Sequence, residues 1–381
     1  MQYYKRLGDY IREVNIRNTN LEDVKLLGVS IQKVFMPSIA NTIGTNMTTY
    51  KLIKKGQFAY GPVTSRNGDK ISVALLDCYE KAMISQAYMS FEVIDENKLL
   101  PEYLMMWFRR PEFDRYARFM SHGSAREIFG WEEMCNTTLP VPSITKQKEI
   151  VKEYNVLVNR INVNNLFIQK LEETAQALYK QRFVNLENTD DKNTTTLNYY
   201  IETNPKLSLK KKVLATYVEL NDLSTTSMGI KGFIKREFIG GSKFQNYDTL
   251  LARITPSLEN GKTAFVDILD EGEIAAGSTE FIVMRAKENV SPYWVYCLAR
   301  DDNFRSYAIS SMVGSSGRQR VHEKYLGKFI LPEIDSETMN DFHKNVESIF
   351  KMVKLKSQEN NKLITVKNML LAKLAIMEDN L

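Results

Sequence analysis

Two long stretches of the chain repeat apolar residues at alternating steps of four and three. The first runs Ile150, Tyr154, Leu157, Ile161, Asn164, Ile168, Leu171, Ala175, Leu178, inside a segment from Lys146 to Val184 that holds neither Gly nor Pro. The second runs Phe342, Val346, Ile349, Val353, Lys356, Asn360, Leu363, Lys367, Leu370, Leu374, Met377. A period of 3.5 residues marks a helix that buries one seam against a partner helix, and at ~1.5 Å per residue the first is about 58 Å long. Two such helices, each closing one half of the chain, predict a coiled-coil pair rather than single buried helices of a bundle. Each seam is interrupted by an asparagine, and a buried amide needs a polar partner. With Asn164 facing Asn360 in an antiparallel pair, Ile161 falls on Leu363, Leu171 on Val353, Leu178 on Val346 and Tyr154 on Leu370. Ile168 and Leu157 then face Lys356 and Lys367, whose stems can lie along the seam.

Outside the helices the pattern changes to short β-rich runs, such as Ile71–Leu75 and Glu280–Met284, alternating with loops and short helices. It also repeats with an offset of about 190 residues. Leu7-Gly-Asp-Tyr-Ile11 is echoed by Leu197-Asn-Tyr-Tyr-Ile201, Ser90–Val93 by Glu280–Val283, and Tyr103–Arg110 by Tyr293–Arg300. Gly123-Ser-Ala-Arg126 is echoed by Gly314-Ser-Ser-Gly-Arg318, and Pro140-Val-Pro142 by Pro332. The fold class is therefore α+β, with two pseudo-repeated globular domains separated by two long antiparallel coiled-coil helices. The segments are a first domain over 1–145, a central helix over 146–184, a polar linker over 185–196, a second domain over 197–335 and a C-terminal helix over 336–381. Each domain is expected to hold six to ten short strands.

The 43% hydrophobic and 25% charged residues exclude wholesale disorder, and no apolar run is long enough for a membrane span. The N-terminus lacks a secretory signal pattern, and Cys78, Cys135 and Cys297 form neither a disulfide framework nor a zinc site, so the chain is expected to be cytoplasmic. A net charge of +5 leans only weakly towards a polyanionic partner. Catalytic motifs are missing. There is no glycine fingerprint for a dinucleotide or S-adenosylmethionine, and no Gly-x-Ser-x-Gly. His122, His322 and His343 have no neighbour at metal-ligand spacing. Asn260-Gly-Lys-Thr263 looks like the tail of a phosphate loop, but Pro256 stands where its first glycine belongs. Asp301-Asp302 reads as a helix cap, and Trp107, Trp131 and Trp294 as core.

Four loops collect the side chains that contact phosphates and base edges. In the first domain the candidates for DNA contact are Thr64, Ser65, Arg66, Asn67 and Lys70, with Ser124 and Arg126. In the second they are Arg253, Thr255, Ser257, Asn260 and Lys262, with Ser315, Arg318, Gln319 and Arg320. Arginine can fork onto guanine, asparagine and glutamine can pair with adenine, and glycine lets backbone approach phosphate. An isolated loop of this composition is better explained as a solvated turn; four at comparable places in two repeats bring the DNA-contact reading level with it.

The layout resembles the specificity subunit of Type I restriction–modification enzymes over essentially the whole chain. The likeness rests on Phe129-Gly-Trp-Glu-Glu-Met134, Leu139-Pro-Val-Pro142, Gln147-Lys-Glu-Ile150 and Leu171-Glu-Glu-Thr-Ala-Gln-Ala-Leu-Tyr-Lys-Gln-Arg-Phe183. Phe58–Gly68 and Leu251–Lys262 also look like that family's recognition domains. Phe329-Ile-Leu-Pro332 and Glu337 depart from the family's usual Pro-x-Pro followed by Glu-Gln. The resemblance implies a non-catalytic subunit in which each domain reads one half of a bipartite, asymmetric target on double-stranded DNA. It implies helices that set the spacing and dock two modification (methyltransferase) subunits, joined by restriction (motor–nuclease) subunits. No cofactor is expected in this chain, because S-adenosylmethionine, ATP and Mg²⁺ would sit on the partner subunits. The alternative is a non-catalytic coiled-coil scaffold or adaptor without DNA specificity.

Overall fold

The computed structural model describes residues 4–40, 42–65, 67–123, 127–185, 193–315 and 317–376. The chain forms two compact units, Met1–Ile161 with Lys362–Leu381, and Asn162–Asn361. Each unit takes in one mixed region and part of both long helices, whereas the sequence pattern set the helices apart as separate segments.

In the first unit a four-stranded sheet has the order Ile11–Glu13, Met89–Val93, Phe58–Tyr60, Val73–Leu75, and a five-stranded sheet the order Ile16–Arg17, Lys51–Lys54, Lys81–Ile84, Leu26–Val29, Phe35–Pro37. Tyr4–Arg6 pairs with Thr138–Pro140 as a separate ribbon. That makes eleven strands among the described residues, one above the expected range. The helices Pro101–Phe108 and Pro111–Phe119 each begin on a proline, whose missing N–H costs nothing in the first turn. They press Tyr103, Leu104, Phe108 and Phe113 onto Phe58, Tyr60 and Phe91 of the four-stranded sheet. Trp107 belongs to this core and Trp131 is half-buried at its side.

The second unit repeats the plan. Ile201–Thr203, Phe281–Ala286, Thr249–Ala252 and Thr263–Phe265 form one sheet in that order. A second sheet orders Ile234–Glu237, Leu214–Val218, Ala275–Gly277 and Ser242–Phe244, and Thr194–Thr196 pairs with Ile330–Pro332. Helix Pro292–Arg300 buries Trp294 at 1% exposure, and Asp301 caps the next helix through the N–H groups of Asn303 and Phe304. The repeat reaches the backbone. Left-handed φ values at Leu21 (52°), Gly56 (86°) and Gly123 (128°) recur at Lys212 (66°), Tyr247 (73°) and Gly314 (135°), each at the same offset.

The central helix spans Ile144–Tyr179 and passes into a π-helical turn at Lys180–Val184, so it starts two residues before Lys146 and ends in a different geometry. The C-terminal helix spans Ser336–Lys373 and ends in a 3₁₀ turn at Leu374–Ile376; Met377 lies outside the described residues, as does most of the linker. In the second unit Asn164 Nδ2 donates to Asn360 Oδ1 at 3.0 Å, and Asn360 Nδ2 donates to Asn165 Oδ1 at 2.8 Å. Further along, the rings of Tyr179 and Phe183 meet Phe342 at 6.4 and 5.1 Å. Rising numbers on one helix thus meet falling numbers on the other, so the two run antiparallel there.

The motifs that flank the central helix fasten it to the globular parts. In the first unit the fully buried Gln147 accepts from Leu100 N–H and donates to the carbonyls of Lys98 and Pro142. In the second unit Gln176 donates to Cys297 O at 3.0 Å, and both Glu172 oxygens accept from Met228 N–H at 3.0 Å. These residues act as hydrogen-bonded pegs because a buried polar group is stable only when paired.

Candidate nucleic-acid interface

In each unit the two candidate loops come together. In the first, Val63 and His122 both form β-bridges with Ile128. Thr64 N–H donates to Glu127 O at 2.9 Å, and Phe129 N–H to Pro62 O at 2.8 Å. Thr64 is buried, and its hydroxyl donates to Ser121 Oγ and Glu127 O, so it holds the loops together. Ser65 and Lys70 are exposed, while Asn67 is half-buried and donates to Val63 O at 3.3 Å. Arg66, Ser124 and Arg126 lie outside the described residues.

The second unit builds the same clasp. Ile254 and Val313 both form bridges with Arg320. Thr255 N–H donates to Gln319 O at 3.0 Å, Gln319 N–H donates to Thr255 Oγ1 at 3.1 Å, and Val321 N–H donates to Arg253 O at 2.9 Å. Asn260, Ser315 and Arg318 are exposed. Ser257 is buried, and Lys262 donates to Leu220 O and Asn221 Oδ1 at 3.2 Å, so the phosphate-loop look-alike is occupied from within. Arg253 is half-buried, with its Nε lacking a hydrogen-bond partner among the described residues. Arg320 is held by Glu280 through a forked pair, with Nη2 at 2.7 Å and Nε at 2.9 Å, and that carboxylate lifts its pKa further. Arg320 thus comes with its own counter-charge, whereas Arg318, two residues away, has no ion pair among the described residues.

The underside of this second clasp is fixed by Arg300, a residue that sequence pattern does not single out. Its guanidinium donates to the carbonyls of Thr225 (2.8 Å), Gly261 (3.1 Å), Ser227 (2.5 Å) and Thr263 (3.2 Å). Spacing gives no sign of such a role, because the acceptors are backbone atoms. Gly261 has a φ of 73°, a left-handed conformation that glycine adopts without strain. In the first unit Phe119, 82% exposed at the end of its helix and just before Ser121, is a further aromatic beside the loops that helical periodicity did not distinguish from core.

Glu172 lies close enough to Arg300 for their charges to interact, yet burial pushes its carboxyl up to about 7, against the pull of Met228 N–H and Arg300. The folded chain therefore holds this proton more tightly than the unfolded chain, where the usual value is 4.5. The stabilisation is complete below that lower value and is lost as pH rises to about 7. Glu172→Gln is expected to flatten the stability profile across this window. At pH about 8 the variant gains up to ~3 kcal/mol on the wild type. Urea unfolding at both ends of the window checks this, and an equal loss at both would sink it.

Among the described residues no cluster of His, Cys, Asp and Glu is placed to hold a metal ion, and no helix is long and apolar enough to cross a membrane. No family model matches the chain. Two curated proteins are similar in sequence. The specificity subunit of the Type I restriction enzyme HindI from Haemophilus influenzae is 28% identical over 189 residues, 48% of this chain and 40% of that protein. The specificity subunit of the Type I restriction enzyme EcoAI from Escherichia coli is 30% identical over 133 residues, 33% of this chain and 22% of that protein. The chain thus spans less than half the length of either relative. Among solved structures, the Type I restriction–modification S subunit from M. genitalium superposes over 98% of this chain and 95% of its own, with a TM-score of 0.56 at 12% identity. The chain therefore resembles Type I restriction enzyme specificity subunits in part of its sequence, and it shares the mixed helix-and-sheet fold of a Type I S subunit.

Proposed function

We propose that the chain is the non-catalytic DNA-specificity subunit of a Type I restriction–modification complex, each unit reading one half of a bipartite, asymmetric target. The observation that carries this reading is the clasp built twice. Loops far apart in sequence are bridged at equivalent positions, and each clasp turns polar or cationic side chains outward: Ser65 and Lys70 in one unit, Asn260, Ser315 and Arg318 in the other. Two similar scaffolds with different loop residues suit two different half-sites, because base edges are read by side chains while backbone donors and cations fix position. Thr64, Ser257 and Lys262 support the loops, and Arg320 is held in reserve by Glu280.

The helices fit a second task, docking two modification subunits and setting the separation of the readers. Beyond the seam they keep apolar side chains at the surface, Val163, Leu166, Phe167 and Leu355 in the second unit, and Val156, Val366 and Met369 in the first. Exposed apolar positions on a helix that already has its partner mark a further protein surface. S-adenosylmethionine, ATP and Mg²⁺ belong, in this reading, to the modification and restriction subunits.

Binding of the full chain to duplex DNA by fluorescence anisotropy, titrated with salt, tests the proposal. Affinity should fall steeply from low to moderate salt, since each neutralised phosphate contributes about 0.9 to the logarithmic slope. Salt-insensitive or absent binding would return the chain to the scaffold reading.

A further inference from the structure

The net charge is not spread over the molecule. Residues 206–243 hold eight Lys and Arg against three Asp and Glu, a surplus equal to the +5 of the whole chain. Lys206, Lys210, Lys211, Lys212 and Lys231 are exposed and form no ion pair among the described residues. Lys235 alone is matched, by Glu273 at 2.8 Å. The three consecutive lysines form the turn into strand Leu214–Val218, pinned where Lys212 N–H donates to Phe238 O at 2.9 Å. Beside them Arg236, paired across the ladder with Ala215, holds its guanidinium carbon 3.3 Å from the centre of the Tyr217 ring, and its buried Nε has no partner among the described residues. Glu237, opposite Leu214, is the nearby carboxylate and has no ion pair among the described residues.

The repeat supplies an internal comparison. Lys212 occupies the left-handed position that Leu21 holds in the first unit, where Glu22 and Asp23 follow. The same turn thus carries lysines unpaired among the described residues in one unit, whereas in the other it carries none and Glu22, just after it, is paired with Lys81. A feature of the scaffold would be shared; this one is confined to the second unit. The turn lies at the far end of Leu214–Val218 from Leu220 and the clasp. At ~3.3 Å per residue the chain from Lys212 to Leu220 spans up to about 26 Å, roughly eight base pairs of duplex.

We infer that the Lys206 and Lys210–Lys212 turn of the second unit is a sequence-independent contact for the phosphate backbone of duplex DNA, outside the half-site that the clasp reads. This rests on the DNA-reading proposal above. Leu214, Phe233 and Ile234 are exposed on the same hairpin, so a protein is the competing occupant. The charge favours DNA, because flexible ammonium groups with no acidic partner suit a line of phosphates rather than a mixed protein surface.

The test is the variant Lys210→Gln, Lys211→Gln, Lys212→Gln in the full chain, compared with wild type on a random-sequence duplex over a salt series. A charge-matched control carries Lys148→Gln, Lys152→Gln and Lys344→Gln, three exposed lysines of the long helices. The turn variant should lower the logarithmic salt slope by about 0.9 for each phosphate it no longer neutralises, with an unchanged melting temperature, while the control keeps the wild-type slope. An unchanged slope in the turn variant, as a protein-binding surface would give, overturns the inference and leaves the DNA-reading proposal standing. An equal drop in the control also overturns it, since the effect would then be net charge. A wild type without salt-sensitive binding removes both.

Discussion

Asp114→Ala should be the most damaging single substitution in the first unit, with an expected loss of about 3–5 kcal/mol in stability. Asp114 Oδ1 lies 2.8 Å from Lys33 Nζ, and both side chains are nearly buried. The same oxygen accepts from Ile71 N–H at 3.1 Å, and Lys33 also donates to Phe108 O. Burial already lowers the pKa of Lys33, and Asp114 is what offsets it. Without the carboxylate the buried ammonium keeps the Phe108 carbonyl but loses its only counter-charge among the described residues, and the Ile71 N–H loses its acceptor, so each bears a desolvation cost. Lys33→Met with Asp114→Asn should recover most of the loss, because the amide oxygen can still accept from Ile71 and no charge remains. The consequence reaches the interface. Ile71 ends the loop that carries Ser65 and Lys70, and the helix bearing Asp114 leads into the loop at Ser121, so the pair anchors both arms of one clasp. Calorimetric unfolding of the single and double variants decides the point. A loss below about 1 kcal/mol for Asp114→Ala would mean the pair is not desolvated.

The sequence made some of this legible and hid the rest for definable reasons. The long helices were readable because a 3.5-residue period sustained over many turns has few other causes, and the asparagines stood out as the polar members of an apolar seam. The duplication was readable where equivalent positions kept similar residues, as at Gly123 and Gly314, and hidden where the turn kept its backbone but changed its residue, as from Leu21 to Lys212 and from Gly56 to Tyr247. The clasp was not. Its bonds join Val63 to Ile128 and Ile254 to Arg320 through backbone atoms, and backbone pairing leaves no residue-type signature across such separations. Composition likewise could not show that Thr64 faces inward while Ser65 faces out, or that Glu280 holds Arg320. Lys33 reads as a surface lysine in any one-dimensional account, and only the fold brings Asp114 to it. The run Lys210–Lys212 was in plain view, but a whole-chain charge of +5 averaged it away.

Under the proposed reading, Arg318→Ala should weaken binding to the preferred DNA by roughly 5- to 150-fold, about 1–3 kcal/mol, the worth of one arginine forked onto a guanine. Arg320→Ala should cost clearly less, although the two residues share a loop and a charge. The difference lies in what each leaves behind. Arg318 is exposed and unpaired among the described residues, so its donors are bare until DNA arrives. Arg320 must first give up a forked bond to Glu280, and the exchange of one acceptor for another yields little net energy. Glu280→Gln removes that competitor, so in its background Arg320→Ala should become costlier. The measurement is anisotropy on a duplex selected from a random pool by the wild-type chain, with an unselected duplex beside it. An unchanged affinity for Arg318→Ala on the selected duplex would remove this residue from the interface. An equal loss on both duplexes would make it a phosphate contact instead. If Arg320→Ala proves the costlier change in the wild-type background, the pair with Glu280 opens on binding, and the assignment of reader and reserve is reversed.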